Sequence, residues 1–206
     1  MKNYTQFFIN SIRGKYPGSY KSIIQRVQNH YKEISTDTAF ARTSRNPIDR
    51  RLDFCAYFLA LIKTLHENGE SFESIRATCL EIVIAYVQPS GKIQAAIKKW
   101  IPKLIGTWPG RRLIQIFHNR ISVNENKEGF KANIITDKTS TYGLGYGIDI
   151  IECGICKLFK KHDYFGYASI LCEVDEITSG LAGLTLIRTG TIANGAHTCD
   201  FRFKKE

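Results

Sequence analysis

Four cysteines in the second half of the sequence stand among acidic or imidazole side chains. Three thiolates with an imidazole or a carboxylate would suit a soft metal site, whereas a thiolate near a histidine could act as a nucleophile. The competing interpretation is core packing, because cysteine is among the most buried residue types. The residues concerned are Cys153 after Glu152, Cys156, Cys172 before Glu173 and Asp175, and Cys199 between His197 and Asp200.

The spacing of Cys153 and Cys156 is that of a CxxC motif. A single CxxC outside a thioredoxin-like βαβ unit is weak evidence for zinc or redox chemistry. A metal ion or an iron–sulfur cluster on the cysteines stays open, with Cys153, Cys172, Cys199 and His197 as candidate ligands. Two further cysteines, Cys55 and Cys79, lie on apolar helix faces, and we expect them to pack in the core.

Arg188 lies on an otherwise apolar strand, where a guanidinium needs an anionic partner. That partner is either a protein carboxylate or the carboxylate of a substrate, which arginine binds through two parallel hydrogen bonds. Both alternatives remain open. The protein candidates are Glu152, Glu173 and Asp175.

The last strand places its side chains on two faces. Alternation puts His197, Cys199, Phe201 and Phe203 on one face and Thr198, Asp200 and Arg202 on the other. The phenylalanines mark the first face as the core side, so Cys199 should point toward the helices that carry Cys153 and Cys172. We expect Asp200 and Arg202 to pair with each other, and we count both as candidate substrate-binding residues.

The elements that must position these residues change character along the chain. Hydrophobic periodicity predicts helices over residues 5–14 and 18–34, a polar loop over 35–45, and a long helix that Asn46-Pro47 begins and Asn68-Gly69 ends. Ser71 should cap a helix that stops at Pro89, and two more helices are predicted over 90–106 and 110–121. Beyond residue 124 the pattern predicts strands over 129–137, 146–152, 183–192 and 197–204, with helices over 153–162 and 165–180.

This order predicts an α+β protein. A helical region over residues 1–124 is followed by a ββααββ module over residues 125–206, and hairpin signals such as Asn194-Gly195 favour a mostly antiparallel four-stranded sheet. We expect the two parts to form one compact unit.

Composition and charge restrict the partners. The chain has 206 residues, 43% of them hydrophobic, which excludes a disordered chain, and a net charge of +10. Residues 1–110 hold 16 Lys and Arg against 8 Asp and Glu, whereas residues 111–206 hold 13 against 11. The basic excess therefore lies in the helical part, away from the candidate site.

We expect a cytoplasmic protein with reduced cysteines. The longest uncharged apolar run, Phe54 to Ile62, has nine residues where a membrane span needs roughly 20, and the N-terminus does not resemble a signal peptide.

Glycine-rich Gly143–Gly147 precedes a strand and lacks the Lys-Ser/Thr of a phosphate loop. The basic clusters Lys98-Lys99 and Arg111-Arg112 come without a nucleic-acid-binding signature. We therefore expect no nucleic acid and no membrane as partner, and the sequence is compatible with a homo-oligomer.

Several short segments resemble the family named for L-2-amino-thiazoline-4-carboxylic acid hydrolase. The resemblance covers roughly residues 20–204. One departure is Gly154, where the family pattern leads us to expect proline after Glu-Cys. The segments are Glu152-Cys153, Leu171-Cys172-Glu173-Val174-Asp175, Arg188-Thr189-Gly190-Thr191 and Cys199-Asp200-Phe201-Arg202-Phe203, with Asn46-Pro47, Ala60 to Leu65, Asn68-Gly69 and Ser71 in the first half.

The resemblance implies a hydrolase that opens the ring of a small carboxylate-bearing thiazoline to give N-carbamoyl-cysteine. Such a reaction needs a base for water, an acid for the departing sulfur and a cation for the substrate carboxylate. Glu173 or Asp175 would be the base, Cys153, Cys172 or Cys199 the nucleophile or metal ligand, and Arg188 the cation. The module also looks like the small-molecule-binding domains related to the vinyl-reductase type, which implies a ligand- or metal-binding protein without turnover.

Overall fold

The computed structural model describes residues 4–88, 91, 100, 104–105, 107–122 and 126–205. Helices are followed by a four-stranded antiparallel sheet with two inserted helices, which confirms the α+β prediction. The helices are α1 (Thr5–Lys15), α2 (Tyr20–Asp37), α3 (Arg51–Glu67), α4 (Phe72–Val87), α5 (Trp108–Ile121), α6 (Gly154–Lys161) and α7 (Ala168–Gly180). The strands are β1 (Lys131–Ile135), β2 (Gly147–Glu152), β3 (Leu184–Ile187) and β4 (Cys199–Lys205).

Helix α3 lies at the centre of the helical part. Phe58, Leu59, Leu61 and Ile62 have no exposed surface, so this helix is apolar on all sides. Such a helix must be covered all round, and α2, α4 and α6 pack against it. Burying each of these side chains stabilises the fold by about 1.5–3 kcal/mol. The buried apolar side chains of the helices and the sheet belong to one continuous cluster. No helix among the described residues is both long and apolar enough to span a bilayer.

The ends of α3 and α4 follow their local signals. Gly69 adopts a φ of +84°, a left-handed conformation that glycine takes without strain, just after α3. Ser71 caps α4 by accepting a hydrogen bond from the backbone N–H of Ser74. Thr107 caps α5 in the same way, with Pro109 in the first turn. The helix predicted over 90–106 lies, except for a few positions, outside the described residues.

Two predictions before α3 are wrong. The expected loop over 35–45 is largely helical, since α2 continues to Asp37 and a 3-10 turn spans Ala39–Arg42. Ile34 and Ala41 are buried, so packing of this segment against α3 outweighs its polar composition. Asn46 does not cap α3, which begins at Arg51. Its side-chain oxygen instead accepts from the N–H of Ile48 in a local turn.

Asn46 holds the start of α3 against β1. It is fully buried, and its amide donates to the carbonyl oxygen of Phe130 at 2.9 Å. Asp49, also buried, accepts from the N–H of Phe130 at 2.8 Å and from the hydroxyl of Ser44 at 2.6 Å. The two hydrogen bonds to Phe130 join residues more than 80 positions apart, so they connect the helical part to the sheet.

Replacing Asn46 with alanine should therefore lower the free energy of unfolding by about 2–3 kcal/mol, because it leaves buried backbone groups at Ile48 and Phe130 unpaired. Urea denaturation measures the change. Asn10→Ala is the matched control, since Asn10 is exposed and its side-chain oxygen accepts a hydrogen bond from the amide of Gln6 on the same helix. A loss at Asn46 no larger than that of the control would contradict the assignment.

The sheet has the order β1-β2-β4-β3, with β2 and β4 in the middle. The predicted alternation of β1 is confirmed, since Ala132 and Ile134 are buried and Asn133 is exposed. The third strand is shorter than predicted: it ends at Ile187, residues 188–191 are irregular, and a 3-10 turn over Ile192–Asn194 follows. The fourth begins at Cys199, which leaves His197 exposed outside the sheet.

Gly154 begins α6 at a close approach of three elements. A Cβ at this position would lie 3.1 Å from the carbonyl oxygen of Glu128 and 3.2 Å from side-chain atoms of Leu52 and Phe130. The absence of a side chain therefore lets the start of α6 pack tightly where the family pattern suggested proline.

Candidate functional site

A cavity of about 300 Å³ lies between the sheet and the helices α3 and α7. Its apolar wall is one face of β2 and β4, where the register places Ile148 opposite Phe201. Its polar side chains come from the first turn of α3 and from the second half of α7. We call it the sheet cavity. It is lined by Pro47, Ile48, Arg51, Phe117, Ile148, Ile150, Asp175, Thr178, Ser179, Phe201 and Phe203.

Asp175 is held between two guanidinium groups. Arg51 donates from Nη2 to Oδ1 of Asp175 at 3.0 Å, and Nη1 of Arg188 lies 3.6 Å from Oδ2. Among the described residues that line the sheet cavity, Asp175 is the only carboxylate. The side chain of Arg51 is 46% exposed, so solvent or a ligand can reach it through the cavity while one nitrogen stays on Asp175.

Arg188 has one donor that forms no hydrogen bond. Its side chain is 11% exposed and lies over the ring of Phe201, 5.3 Å from the ring centre. Nη2 donates to the carbonyl oxygen of Cys172 at 3.3 Å, whereas the buried Nη1 has no hydrogen-bond partner. The anionic partner that the sequence called for is thus Asp175, with the exposed Glu176 at 3.8 Å. Arg188 does not line the sheet cavity and lies behind Asp175, next to its second carboxylate oxygen.

Glu173 faces the other side of α7. Arg76 on α4 binds it through two hydrogen bonds, of 2.8 Å to Oε1 and 2.5 Å to Oε2. Two residues along a helix turn the side chain by about 200°, so Glu173 and Asp175 point in nearly opposite directions. The structure places Asp175 in the sheet cavity and Glu173 between α4 and α7.

Cys153 occupies the N-cap position of α6. It is buried, and the thiol of Cys156 donates toward its sulfur. This donor, the backbone N–H groups of Ile155 and Cys156, and the guanidinium of Arg51 outweigh the effect of burial and lower the pKa of Cys153. The same contact with Cys153, together with burial, raises the pKa of Cys156. Cys153 is therefore the more readily ionised thiol of this pair, but it does not line the sheet cavity.

Two other predicted cysteines lie in the same buried region. Burial, together with the nearby Cys153 and Asp175, raises the pKa of Cys172 to about 12. Burial also raises the pKa of Cys199, whose sulfur accepts from the N–H of Ile192 at 3.1 Å. Cys172 and Cys199 therefore stay protonated at neutral pH. As neutral thiols they lie near Asp175 and Arg188 without adding charge to the site. Cys55 and Cys79 are buried, as predicted.

Buried thiols should make the protein less stable in alkali. Burial raises the pKa of Cys55 from 9.0 to about 12, so between those values the unfolded chain loses a proton that the folded chain keeps. Its contribution to stability is complete below pH 9 and declines as the pH rises toward 12, by about 1.4 kcal/mol per pH unit.

Urea denaturation at pH 8, 9.5 and 10.5 measures this decline. The variant Cys55→Ala should show a slope shallower by that amount, whatever its absolute stability. Identical slopes for the variant and the wild-type protein would show that Cys55 ionises equally in both states.

The predicted metal ligands are not arranged as a metal site. In the part of the chain that the structure describes, no three His, Cys, Asp or Glu side chains are placed to hold a metal ion. His197 in particular is exposed and lies before β4 rather than on its inner face. The geometry therefore gives no support to a metal or iron–sulfur site on Cys153, Cys172, Cys199 and His197.

Asp200 and Arg202 do not pair with each other, which corrects the prediction for this strand. Arg202 binds Asp149 on the neighbouring strand at 2.7 Å. Asp200 accepts from the backbone N–H groups of Thr189 and Gly190, both at 3.0 Å, which lowers its pKa against the effect of burial. The register puts Asp149 directly opposite Asp200, an arrangement that like charges disfavour. Each carboxylate has its own partner, which offsets this repulsion. Neither Asp200 nor Arg202 lines the sheet cavity.

A family model described as L-2-amino-thiazoline-4-carboxylic acid hydrolase matches residues 50–203. The chain belongs to this family. No curated protein and no solved structure shows significant similarity to it. The part of the chain that matches the L-2-amino-thiazoline-4-carboxylic acid hydrolase family contains Arg51, Asp175 and Arg188 as well as all six cysteines.

Sequence reasoning missed Arg51 in this family member. Its position in the sequence could have identified it as a candidate. A cation in the first turn of a helix opposes the helix dipole, so it is disfavoured there unless another interaction compensates. Arg51 stands in that turn of α3, and its compensation is Asp175, 124 positions later. Thr178 and Ser179 were missed as well, and both hydroxyls donate to the carbonyl oxygen of Asp175, which fixes this turn of α7.

Proposed function

We propose that this chain is a hydrolase that opens the ring of a 2-amino-thiazoline carboxylate in the sheet cavity. Water adds to the amidine carbon, the bond from that carbon to the ring sulfur breaks, and the sulfur leaves as a thiol. Because the carbamoyl carbon stays bonded to the ring nitrogen, the reaction gives a single product, an N-carbamoyl-cysteine. Membership of the hydrolase family supports the reaction class, and the cavity residues support the assignment of roles.

The observation that carries the proposal is the position of Asp175. It is a carboxylate at the wall of a cavity, held in place by Arg51 and Arg188. In the proposed reaction Asp175 accepts a proton from the attacking water and returns it to the departing sulfur. One group can serve both steps because the proton taken in the first is required in the second.

Arg51 is the group proposed to bind the substrate carboxylate. Arginine has five N–H donors in a planar fork, and Arg51 uses one from Nη2 to bind Asp175. The others are accessible from the cavity, where the side chain is 46% exposed. A carboxylate bound there would hold the ring next to Asp175.

The helical part supplies Arg51 and the module supplies Asp175, so we also propose that residues 1–124 and 125–206 work as one unit.

Cys153 is the alternative nucleophile. Its lowered pKa favours a thiolate, which could attack the amidine carbon directly. We assign the chemistry to Asp175 because Asp175 lines the sheet cavity and Cys153 does not.

The direct test is incubation of the purified protein with 2-amino-thiazoline-4-carboxylate, followed by detection of new free thiol with a thiol reagent and of N-carbamoyl-cysteine by mass spectrometry. We expect both to appear at equal rates. Binding of the compound without either product would identify the chain as a ligand-binding module and refute the proposed hydrolysis.

A further inference from the structure

A second cavity, of about 620 Å³, lies on the other side of Arg51. Arg51 and Thr178 line both this cavity and the sheet cavity, so the two spaces meet at the guanidinium proposed to bind the substrate carboxylate. The second cavity has about twice the volume of the first. A small ring with one carboxylate fits in the sheet cavity and leaves the second one unused. We call the second space the aromatic cavity.

The walls of the aromatic cavity are mainly apolar and include three aromatic rings. Phe54 packs against Tyr86 with ring centres 5.0 Å apart, and against Tyr4 at 5.4 Å in an edge-to-face arrangement. Ala41, Val87 and Val174 complete the apolar lining. Rings that pack against one another in this way form a rigid surface, which suits a flat aromatic group.

The charges around the aromatic cavity are not balanced. Asp53 neutralises Arg42 at 3.1 Å while accepting hydrogen bonds from the hydroxyls of Tyr4 and Tyr31. Asp175 neutralises Arg51. Arg50 is exposed, and among the described residues no acidic side chain pairs with it. One uncompensated cation therefore stands at the wall of an apolar cavity, where it favours an anionic group on the ligand.

We infer that the aromatic cavity binds an aromatic substituent, ending in an acidic group, of a substrate whose ring lies in the sheet cavity. The inference rests on the proposed function for the identity of the ring. The substrate class is then a 2-amino-thiazoline-4-carboxylate whose exocyclic nitrogen carries the substituent. The ring-opening step is unchanged: water adds to the amidine carbon, its bond to sulfur breaks, and the substituent stays on the carbamoyl nitrogen.

The test compares 2-amino-thiazoline-4-carboxylate with its N-(4-carboxybenzyl) derivative. Thiol release gives kcat/KM for each, and calorimetry on the same samples gives Kd. We expect the derivative to be favoured by at least about tenfold in both quantities, because the aromatic group is buried and its acid meets Arg50. Equal values for the two compounds in both measurements would overturn the inference.

Two variants localise the effect. Arg50→Glu should reduce the preference for the derivative about tenfold, and Val87→Trp should reduce it by filling the cavity. Arg111→Glu is the matched control, since Arg111 is also an exposed arginine at the start of a helix and lines neither cavity. If Arg50→Glu and Val87→Trp both left the preference for the derivative as large as in the Arg111→Glu control, the substituent would bind elsewhere and the inference would be overturned.

The calorimetric measurement separates this inference from the proposed function. Tighter binding of the derivative that Arg50→Glu abolishes, without thiol release from either compound, would support the aromatic cavity and refute the hydrolysis. Thiol release from both compounds at equal kcat/KM, with equal Kd, would support the hydrolysis and refute the aromatic cavity.

Discussion

Replacing Asp175 with asparagine is expected to lower kcat/KM for thiazoline ring opening by about 10³, within the range that a positioned base or acid contributes. The amide has nearly the same shape as the carboxylate but cannot take a proton from water at neutral pH. Among the described residues of the sheet cavity no other carboxylate can replace it. Thiol release under single-turnover conditions measures the loss in the chemical step.

Glu173→Gln is the matched control for Asp175→Asn. It makes the same chemical change two residues earlier on α7, at a carboxylate that Arg76 holds away from the sheet cavity. We expect its kcat/KM to stay within about twofold of the wild-type value. An equal loss in the two variants would mean that α7 as a whole, rather than the carboxylate in the cavity, supports activity.

The folding of Asp175→Asn must be checked separately, because the change leaves the buried guanidinium of Arg188 without its anionic partner. Near-ultraviolet circular dichroism and a urea titration serve this purpose.

The variant Cys153→Ala distinguishes the two proposed mechanisms. If it lost activity as completely as Asp175→Asn is expected to, while Asp175→Asn stayed active, the nucleophile would be Cys153 and our assignment would be wrong.

Replacing Arg51 with methionine is expected to raise KM for a ring carboxylate and to lower kcat/KM by about 10². Methionine keeps much of the length and apolar stem but provides no donor. A hydrogen bond to a charged group is typically worth about 1.5–3 kcal/mol, which corresponds to this factor. Steady-state kinetics with 2-amino-thiazoline-4-carboxylate give the value.

Arg51→Lys should recover part of the affinity, since it restores the charge but not the planar pair of donors. A thiazoline without the carboxylate should lose less between the wild-type protein and Arg51→Met than the ring carboxylate loses. It has no group for the guanidinium to bind, so its loss reflects only the contact of Arg51 with Asp175. Arg111→Met provides the control for loss of one exposed positive charge. Unchanged KM in Arg51→Met would show that the substrate carboxylate binds elsewhere.

Local patterns were sufficient for much of the fold. The alternation of Ala132, Asn133 and Ile134 predicted β1 and its inner face, because successive side chains on a strand point to opposite sides. Gly69 and Ser71 marked the boundary between α3 and α4, because a left-handed residue and a hydroxyl cap are chemical requirements of helix ends. Asn46 looked like such a cap, but its partner Phe130 lies 84 positions away.

The candidate site shows the limit of local information. The sequence suggested both Glu173 and Asp175 as the base, and both lie on α7. Which of them faces the sheet cavity depends on how α7 packs between α4 and the sheet, and no pattern within α7 records that orientation. In the same way, Arg188 required an anion, but the choice of Asp175 over Glu152 or Glu173 was made by distance in three dimensions.

The sequence by itself determined the α+β class, the order of its elements, most of their inner faces and the resemblance to a hydrolase family, because these depend on residues close together in the chain. The tertiary structure decided the partners of the charged side chains: Arg51 with Asp175, Arg76 with Glu173, and Arg202 with Asp149. Electrostatic pairing depends on distance in space. Only the packing of α3 and α7 against the sheet brings Arg51, Asp175 and Arg188 together, with Cys153 near Arg51.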